Sequence, residues 1–246
     1  MRLAVISDIH GNVGALNAVL EDITSRDVDA ILNLGDICSG PLYPSETVDR
    51  LMAIPSAAIQ GNHERQLLAE SLDEMGASDR FARERLRGDQ LDWLRSLPPV
   101  LQPYEGVLMV HGSPNSDLVH LLATVRSAGL RPASVEEIEQ RIGDADADLV
   151  LCGHTHLQRS VRLPDGRLVV NPGSVGLQAY EDDRPSPYVV EAGTPHARYA
   201  VVERAENRLW TADLLAVEYD WEAAAREADA RLASSVAVAL RTGRAG

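Results

Sequence analysis

The chain has 246 residues, 45% of them hydrophobic, enough to bury one large core or two small ones. Its 37 acidic side chains against 23 basic ones leave a formal charge of −14, and every basic residue is an arginine. That balance excludes the electrostatic footprint of a general nucleic-acid or anionic-membrane binder, and the missing lysine excludes a Walker-A clamp, a Schiff base and a lysine general base.

In chain order, Leu3 to Ser7 reads as a buried strand. Asn12 then caps a helix whose apolar positions Val13, Leu16, Val19, Leu20 and Ile23 recur at helical spacing. Ala30 to Leu34 is a second strand, Pro44 to Met52 a short helix, and Ser56 to Gln60 a third strand. This β-α-β-α-β order predicts parallel strands with crossover helices. Residues 64–97 are charged and helical, with one amphipathic helix over Asp89 to Leu97 that Pro98 and Pro99 stop. A strand over Val107 to Val110 follows, then a helix opened by the capping box Ser134-Val135-Glu136-Glu137, then a strand over Leu149 to Cys152.

Beyond residue 156 the pattern becomes antiparallel. Gln158 to Leu163 and Arg167 to Asn171 flank the turn Pro164-Asp165-Gly166, and 197–203 pairs with 208–218. The Pro-rich stretch 181–195 reads as a surface loop, and 221–242 as one Ala-rich terminal helix. The expectation is an α/β (α+β) fold: two packed mixed β-sheets flanked by helices, in a single domain over 1–246. The segment 64–97 is either a solvated face or a helical cap over the substrate. No apolar run approaches a membrane span and the N-terminal run is too short for a signal peptide, so a cytoplasmic protein is expected. Cys38 and Cys152 form no Cys-x-x-Cys pair, which points to reduced thiols rather than a thiolate zinc site.

Five short signatures fall just after predicted strands. They contribute Asp8 and His10, Asp36, Asn62 and His63, His111, and His154 and His156. Strand ends on one side of a parallel sheet converge, which is where α/β enzymes place their sites. The two-residue spacing of Asp8 with His10, and of His154 with His156, aims both side chains the same way from an extended segment. Imidazoles and carboxylates without thiolate suit two divalent transition-metal ions, manganese first, with iron, zinc, nickel or cobalt also fitting. Asp36 can bridge two cations, and Asn62 supplies a carbonyl oxygen without charge. A water held between two such ions ionises near neutral pH and attacks phosphorus in line as a bridging hydroxide. His63, beside Asn62 but not needed as a ligand, is then free to protonate the leaving oxygen.

Asp8-Ile9-His10, Gly35-Asp36, Gly61-Asn62-His63-Glu64, His111 and Gly153-His154-Thr155-His156 together resemble the motif set of the calcineurin-like metallophosphoesterases. Asn171-Pro172-Gly173-Ser174 is similar to a segment of the small prokaryotic members, so the resemblance covers most of the chain. It implies a four-layer αββα sandwich. It also implies one metal held by Asp8, His10, Asp36 and His156 and a second by Asp36, Asn62, His111 and His154. The protein Ser/Thr phosphatase branch carries a second aspartate, which orients the catalytic histidine, then an arginine where this chain has Ser39 and Gly40. That branch also has a phosphate-binding arginine at the position of Gln60. Those departures disfavour a protein phosphatase and the symmetrical dinucleotide hydrolase sharing those motifs, and they leave the protonation of His63 open.

Each motif alone has a plainer explanation. Gly35-Asp36 is more often a turn, a lone His111 a hydrogen-bonded structural residue, and Asn62 a turn residue. Their order and their common place at strand ends make a shared centre the better explanation. His120 and His196 fit no motif and read as structural or surface groups. Cys152 reads as a small core residue, and Arg65 and Arg159 as salt-bridge partners rather than phosphate ligands. The expected function is hydrolysis of a small phosphomonoester or phosphodiester; the alternative is a catalytically silent scaffold or metal-binding interaction module on the same fold. The sequence indicates neither substrate identity nor oligomeric state.

Overall fold

A computed structural model describes residues 1–127, 129–206 and 209–246. The first strand, β1 (Arg2–Ile6), lies parallel to β2 (Ala30–Asn33), which lies parallel to β3 (Ser56–Ala58). The crossover helices are α1 (Val13–Thr24) and α2 (Pro44–Met52). Asn12 caps α1 by accepting the Ala15 N–H at 3.1 Å. Two late strands, β13 (Ala197–Glu203) and β14 (Thr211–Val217), add antiparallel to the other edge of β1. The sheet order is β14-β13-β1-β2-β3. Of the strand expected over 208–218, Arg208 lies outside the described residues.

The second sheet has the order β4-β5-β8-β10-β9, built from β4 (Val100–Tyr104), β5 (Val107–Val110), β8 (Leu149–Leu151), β9 (Arg159–Arg162) and β10 (Leu168–Asn171). The three central strands are parallel and the two edges antiparallel. Period-two alternation divides each strand between two layers. Leu3, Val5, Leu32, Val107, Met109, Leu149, Leu151, Leu168 and Val170 meet between the sheets with Trp210. Ala4 and Ile6 face the other way, onto Leu16 and Leu20 of α1. Leu108, Val110, Val150 and Cys152 pack on Ile138 and Ile142 of α6 (Val135–Ile142), whose capping box closes with Glu137 accepting the Ser134 N–H at 2.9 Å. Each fully buried Leu or Ile of these layers contributes roughly 1.5–3 kcal/mol relative to exposure. The expected four-layer αββα sandwich is the observed one.

The structure refines the expected elements, adds unforeseen ones and corrects two, the loop over 181–195 and the single terminal helix. The charged stretch after β3 is three short helices, α3 (Asn62–Ala69), α4 (Ala77–Arg83) and α5 (Gly88–Ser96). Their apolar faces, Leu67, Ala82, Leu91 and Leu94, join the core outside the first sheet. β4 was not foreseen: Pro98 and Pro99 precede it and Pro103 lies within it, a residue that sheets tolerate at an edge. Two hairpins were also unforeseen, β6 (Ala123–Arg126) with β7 (Gly129–Pro132), and β11 (Ala179–Asp182) with β12 (Tyr188–Glu191). The second replaces most of the loop expected over 181–195. The terminal helix divides into α7 (Trp221–Ala230) and α8 (Ser234–Thr242) at Leu232, whose φ is +59°. Ala224, Ala225, Ala228 and Ala237 let the two halves pack closely around Leu42 and Leu240.

Candidate metal centre

The loop that leaves β1 and the loop that leaves β2 are zipped together beyond the sheet. Asp8 N–H donates to Gly35 O at 3.0 Å, Ile9 N–H to Asp36 O at 2.8 Å and Gly11 N–H to Ile37 O at 3.0 Å. Asp8, His10, Asp36, His154 and His156 all have φ between +50° and +65°, the left-handed region that non-glycine residues seldom occupy. Among the described residues only Asp27 and Leu232 share that property without glycine. Such backbone persists only where its surroundings over-determine it, and its clustering on five convergent side chains marks a functional site.

Neighbouring loops approach closely enough to demand glycine. A Cβ on Gly61 would lie 2.2 Å from Asp36 Oδ1, and one on Gly153 would lie 2.1 Å from Ser7 Oγ. The turn at Asn171 to Ser174 buttresses the same region from behind. Asn171 Nδ2 donates to Gly153 O at 2.7 Å, and Ser174 Oγ to Asp8 O at 2.8 Å.

Six of the expected side chains form two groups, Asp8 with His10 and His156, and Asp36 with His111 and His154, with the donor atoms of each group within 4.8 Å of one another. Asn62 joins the second group, its Oδ1 at 3.1 Å from His111 Nε2. Asp36 Oδ2 is 3.2 Å from the same nitrogen. In three rings Nδ1 meets a main-chain carbonyl: His10 that of Ser39 at 2.8 Å, His111 that of Leu34 at 2.7 Å, and His156 that of Leu177 at 2.6 Å. Donation to those carbonyls places the proton on Nδ1 and turns each Nε2 lone pair inward, as an outer shell does for a ligating imidazole. His154 is held the opposite way, with Nε2 at 3.2 Å from Leu118 O.

The donor set fits cations. His10 Nε2 and His156 Nε2 are 3.1 Å apart, so two lone pairs face one another. Nitrogen and oxygen acceptors crowd around His111 in the same way. Burial and the neighbouring His156 push His10 down to about 4, and burial holds His154 well below its usual value, so both imidazoles are neutral near pH 7. Burial works against a charged His111, but the charge and hydrogen bond of Asp36, with Asp8, push it up to about 10. Burial would raise Asp36 too, yet His111, His63 and His10 keep it well below the usual carboxylate range.

Glu64, quoted in a motif but given no role, is fully buried and accepts three backbone N–H groups. Its Oε2 takes those of Asp36 at 2.8 Å and Gly61 at 2.9 Å, and its Oε1 takes that of Ile37 at 2.8 Å. It clamps the Asp36 loop to the start of α3. The glutamate three residues after a helix-capping position was the available signal. His63 stands on the first turn of α3, and its backbone N–H reaches Asp36 Oδ1 at 3.0 Å. Its Nδ1 meets Asp79 Oδ1 at 2.8 Å. Burial opposes its charge, but Asp36 and the hydrogen bond and charge of Asp79 push it up to about 9. Asp79 carries no motif signal.

Other residues settle as structural. His120 is buried against Tyr188 Oη at 2.9 Å and stacks on His154 with ring centroids 4.6 Å apart. His196 bonds Thr194 Oγ1 at 3.1 Å. Arg65 pairs with Asp117 at 2.5 Å, and Arg159 donates to the carbonyls of Leu122 and Ala133. Gln60 Nε2 donates to Leu94 O at 2.8 Å. Cys38 and Cys152 are unpaired, and burial pushes both thiols up, away from nucleophilic use.

The candidate ligands open into a cleft of about 870 Å³. His10, Asp36, Asn62, His63, His154 and His156 form its floor, and α3, α4 and the β11–β12 hairpin supply walls.

Comparison with known proteins agrees with this geometry. The sequence model of the calcineurin-like phosphoesterase superfamily domain matches residues 1–194. An uncharacterized protein of Methanocaldococcus jannaschii, MJ0912, is 27% identical over 234 residues, covering 89% of this chain and 88% of that one. The crystal structure of a metallophosphoesterase from Sphaerobacter thermophilus superposes with a TM-score of 0.73 at 26% identity, over 99% of each chain. A hypothetical protein from Pyrococcus horikoshii, PH1004, shares the fold with a TM-score of 0.76 at 21% identity, over 100% of this chain and 99% of that one. With the family match spanning well over half its length, the chain belongs to the calcineurin-like phosphoesterase superfamily and is a metal-dependent phosphoric ester hydrolase.

Proposed function

We propose that the chain is a dinuclear enzyme that hydrolyses a phosphomonoester or phosphodiester of a small molecule. The carrying observation is a pair of neighbouring donor groups, Asp8 with His10 and His156 and Asp36 with His111 and His154, joined where His111 Nε2 lies 4.0 Å from Asp8 Oδ1, with three imidazoles turned inward by main-chain carbonyls. Asp8, His10, Asp36 and His156 would hold one ion, and Asp36, Asn62, His111 and His154 the other. Manganese is the proposed metal, with iron, zinc, nickel or cobalt also fitting a set of imidazole, carboxylate and amide oxygen without thiolate. When bound, two such ions lower the pKa of a water and neutralise charge on phosphoryl oxygens.

The protein's own groups do the rest. Asp8 and Asp36 against two divalent ions would leave a local formal charge of about +2, which would attract an ester dianion to an otherwise acidic protein. His63 protonates the leaving oxygen. Glu64 and the zipped loops hold the donors so that little reorganises during reaction. Among the described residues, the cleft walls carry Glu70, Glu74, Glu181 and Asp182 against one guanidinium, Arg184. That surface favours a single phosphoryl group over an oligophosphate chain. No helix among the described residues is long and apolar enough to cross a membrane. We also infer a cytoplasmic location, which the two unpaired thiols support.

The test uses protein stripped of metal and reloaded with manganese, zinc, nickel or magnesium, assayed on an aryl phosphate and a bis-aryl phosphate. Metal-dependent turnover that Asp36→Ala abolishes is the expected result, and the ratio of rates assigns monoester or diester. Two ions bound per chain with neither these esters nor a nucleotide panel cleaved would overturn the proposal in favour of a silent scaffold.

A further inference from the structure

The imidazole of His63, at the floor of the cleft, is held by a carboxylate from outside the strand-end loops. Asp79 reaches it from α4, sixteen residues further along the chain. Asp79 is 4% exposed, and its Oδ1 accepts two hydrogen bonds, from His63 Nδ1 at 2.8 Å and from Ser39 Oγ at 2.5 Å. A carboxylate removed from water costs several kcal/mol unless hydrogen bonds compensate, of the order set by transfer of polar groups into apolar surroundings. The two compensating bonds here both lead to the centre, one to His63 and one to the loop that carries Asp36.

We infer that Asp79, delivered by the helical segment between β3 and β4, is the positioning residue of His63. Both donors converge on one oxygen, so the imidazole is fixed with Nδ1–H toward α4. Its Nε2, which has no protein partner among the described residues, is left facing the cleft that His63 lines. The ring stands edge-on to His10, with centroids 5.4 Å apart at 82°. That contact limits rotation from the other side. In the reaction a water oxygen forms the new bond to phosphorus, and the bond to the leaving oxygen breaks, its electron pair remaining on that oxygen. His63 Nε2 gives that oxygen its proton and is recharged by the proton the water releases. Asp79 contributes by holding the ring and by stabilising the imidazolium through Nδ1–H, as a buried carboxylate does for a general acid or base histidine. Ser39 fixes the carboxylate in turn.

The inference rests on the hydrolase proposed above, so one readout is independent of turnover. In zinc-loaded protein, the side-chain nitrogen spectrum of His63, assigned by its loss in His63→Ala, should show a proton on Nδ1. Asp79→Asn should lose that signature, and Ser39→Asp in the Asp79→Asn background should recover it, a rescue that also decides the matter if the single variant is unstable. The second readout is kcat on aryl phosphates whose leaving groups run from phenol to dinitrophenol. Asp79→Asn should cost about 100-fold with phenol, within the usual range for general acid catalysis, and little with dinitrophenol, which needs no proton. It should add nothing to His63→Ala. An unchanged Nδ1 signature in Asp79→Asn, or an equal loss across all leaving groups, overturns the inference. Absent turnover in the wild type with the signature behaving as stated would instead defeat the hydrolase proposal alone.

Discussion

The cradle of candidate ligands and the walls of the cleft above it are built by opposite means. The cradle consists of strand-end loops whose backbones are zipped to one another and clamped by Glu64, with five side chains aimed from left-handed residues. The walls are short helices and a hairpin, attached through the apolar face of α3 to α5 and through Tyr180 and Tyr188, with acidic groups turned to solvent. A rigid cradle fixes which chemistry is done, because its geometry is set before any ligand arrives. The walls turn acidic side chains such as Glu70 and Glu181 toward the cleft, where charge and shape can differ above an unchanged cradle. His63 joins the two, since its backbone belongs to the cradle and its imidazole is held by the wall residue Asp79.

The largest expected effect is at Asp36, the carboxylate proposed to hold both ions. Asp36→Ala should lower kcat by more than about 10²–10³-fold, the loss seen on removing a single oxyanion donor. Elemental analysis should show metal content falling toward zero rather than to one ion per chain. Metal should also raise the melting temperature of the wild type, since ligand at 100 times its Kd stabilises by about 2.7 kcal/mol, and should not do so in the variant. A variant that keeps both ions would show that the two groups do not share Asp36.

Next comes the close packing of the cradle. Gly61→Ala places a Cβ 2.2 Å from Asp36 Oδ1, a contact that must be relieved by moving either loop. Denaturant titration should show a loss of about 1–3 kcal/mol, the usual cost of overpacking, together with weaker metal binding. Glu64→Gln tests the clamp by a different route. The amide keeps one acceptor oxygen but turns an NH₂ toward a backbone donor, so about 1–3 kcal/mol should be lost to an unsatisfied buried group. If stability fell and metal affinity did not, the clamp would be shown to serve the fold and not the centre.

How much of this was legible beforehand follows the same division. Asp8, His10, Asp36, Asn62, His111, His154 and His156 could be picked out because each lies within a few residues of a strand end, where spacing and apolar runs fix direction. The parallel order of β1, β2 and β3 was readable for the same reason. The walls obey no such rule. Asp79 is an aspartate in a short charged helix, and nothing in its neighbourhood distinguishes it from Asp73 or Asp89. The β11–β12 hairpin hides behind Pro185, Pro187 and a run of acidic residues that read as loop chemistry. The break between α7 and α8 occurs at Leu232 without glycine or proline to announce it, and only packing around Leu42 and Leu240 explains why the chain folds back.

The walls should respond to charge alone. Replacing Glu70 and Glu181 by glutamine removes two negative charges from the cleft lining without touching a candidate ligand. Turnover of an aryl diphosphate, measured as kcat/KM at low ionic strength, should rise about 3–10-fold, and salt should erase the gain within a Debye length of about 10 Å at 0.1 M. Stability should stay within about 0.5 kcal/mol of the wild type, as for most surface substitutions. No gain would mean that shape, and not charge, selects the substrate.

The smallest effect is expected at Arg65, which stands beside Asn62, His63 and Glu64 in sequence and would be the natural suspect for a phosphate clamp. Its guanidinium faces Asp117 at 2.5 Å from Nε to Oδ2, with a second contact at 3.1 Å from Nη2 to Oδ1, and its side chain is 47% exposed. An exposed pair of this kind contributes about 0–1 kcal/mol. Arg65→Ala should therefore shift the denaturation midpoint slightly and leave both kcat and KM for a monoester unchanged. A KM raised tenfold with kcat intact would mean that the arginine leaves Asp117 for the phosphate, placing it in the centre and ending the separation between the cradle and its surroundings.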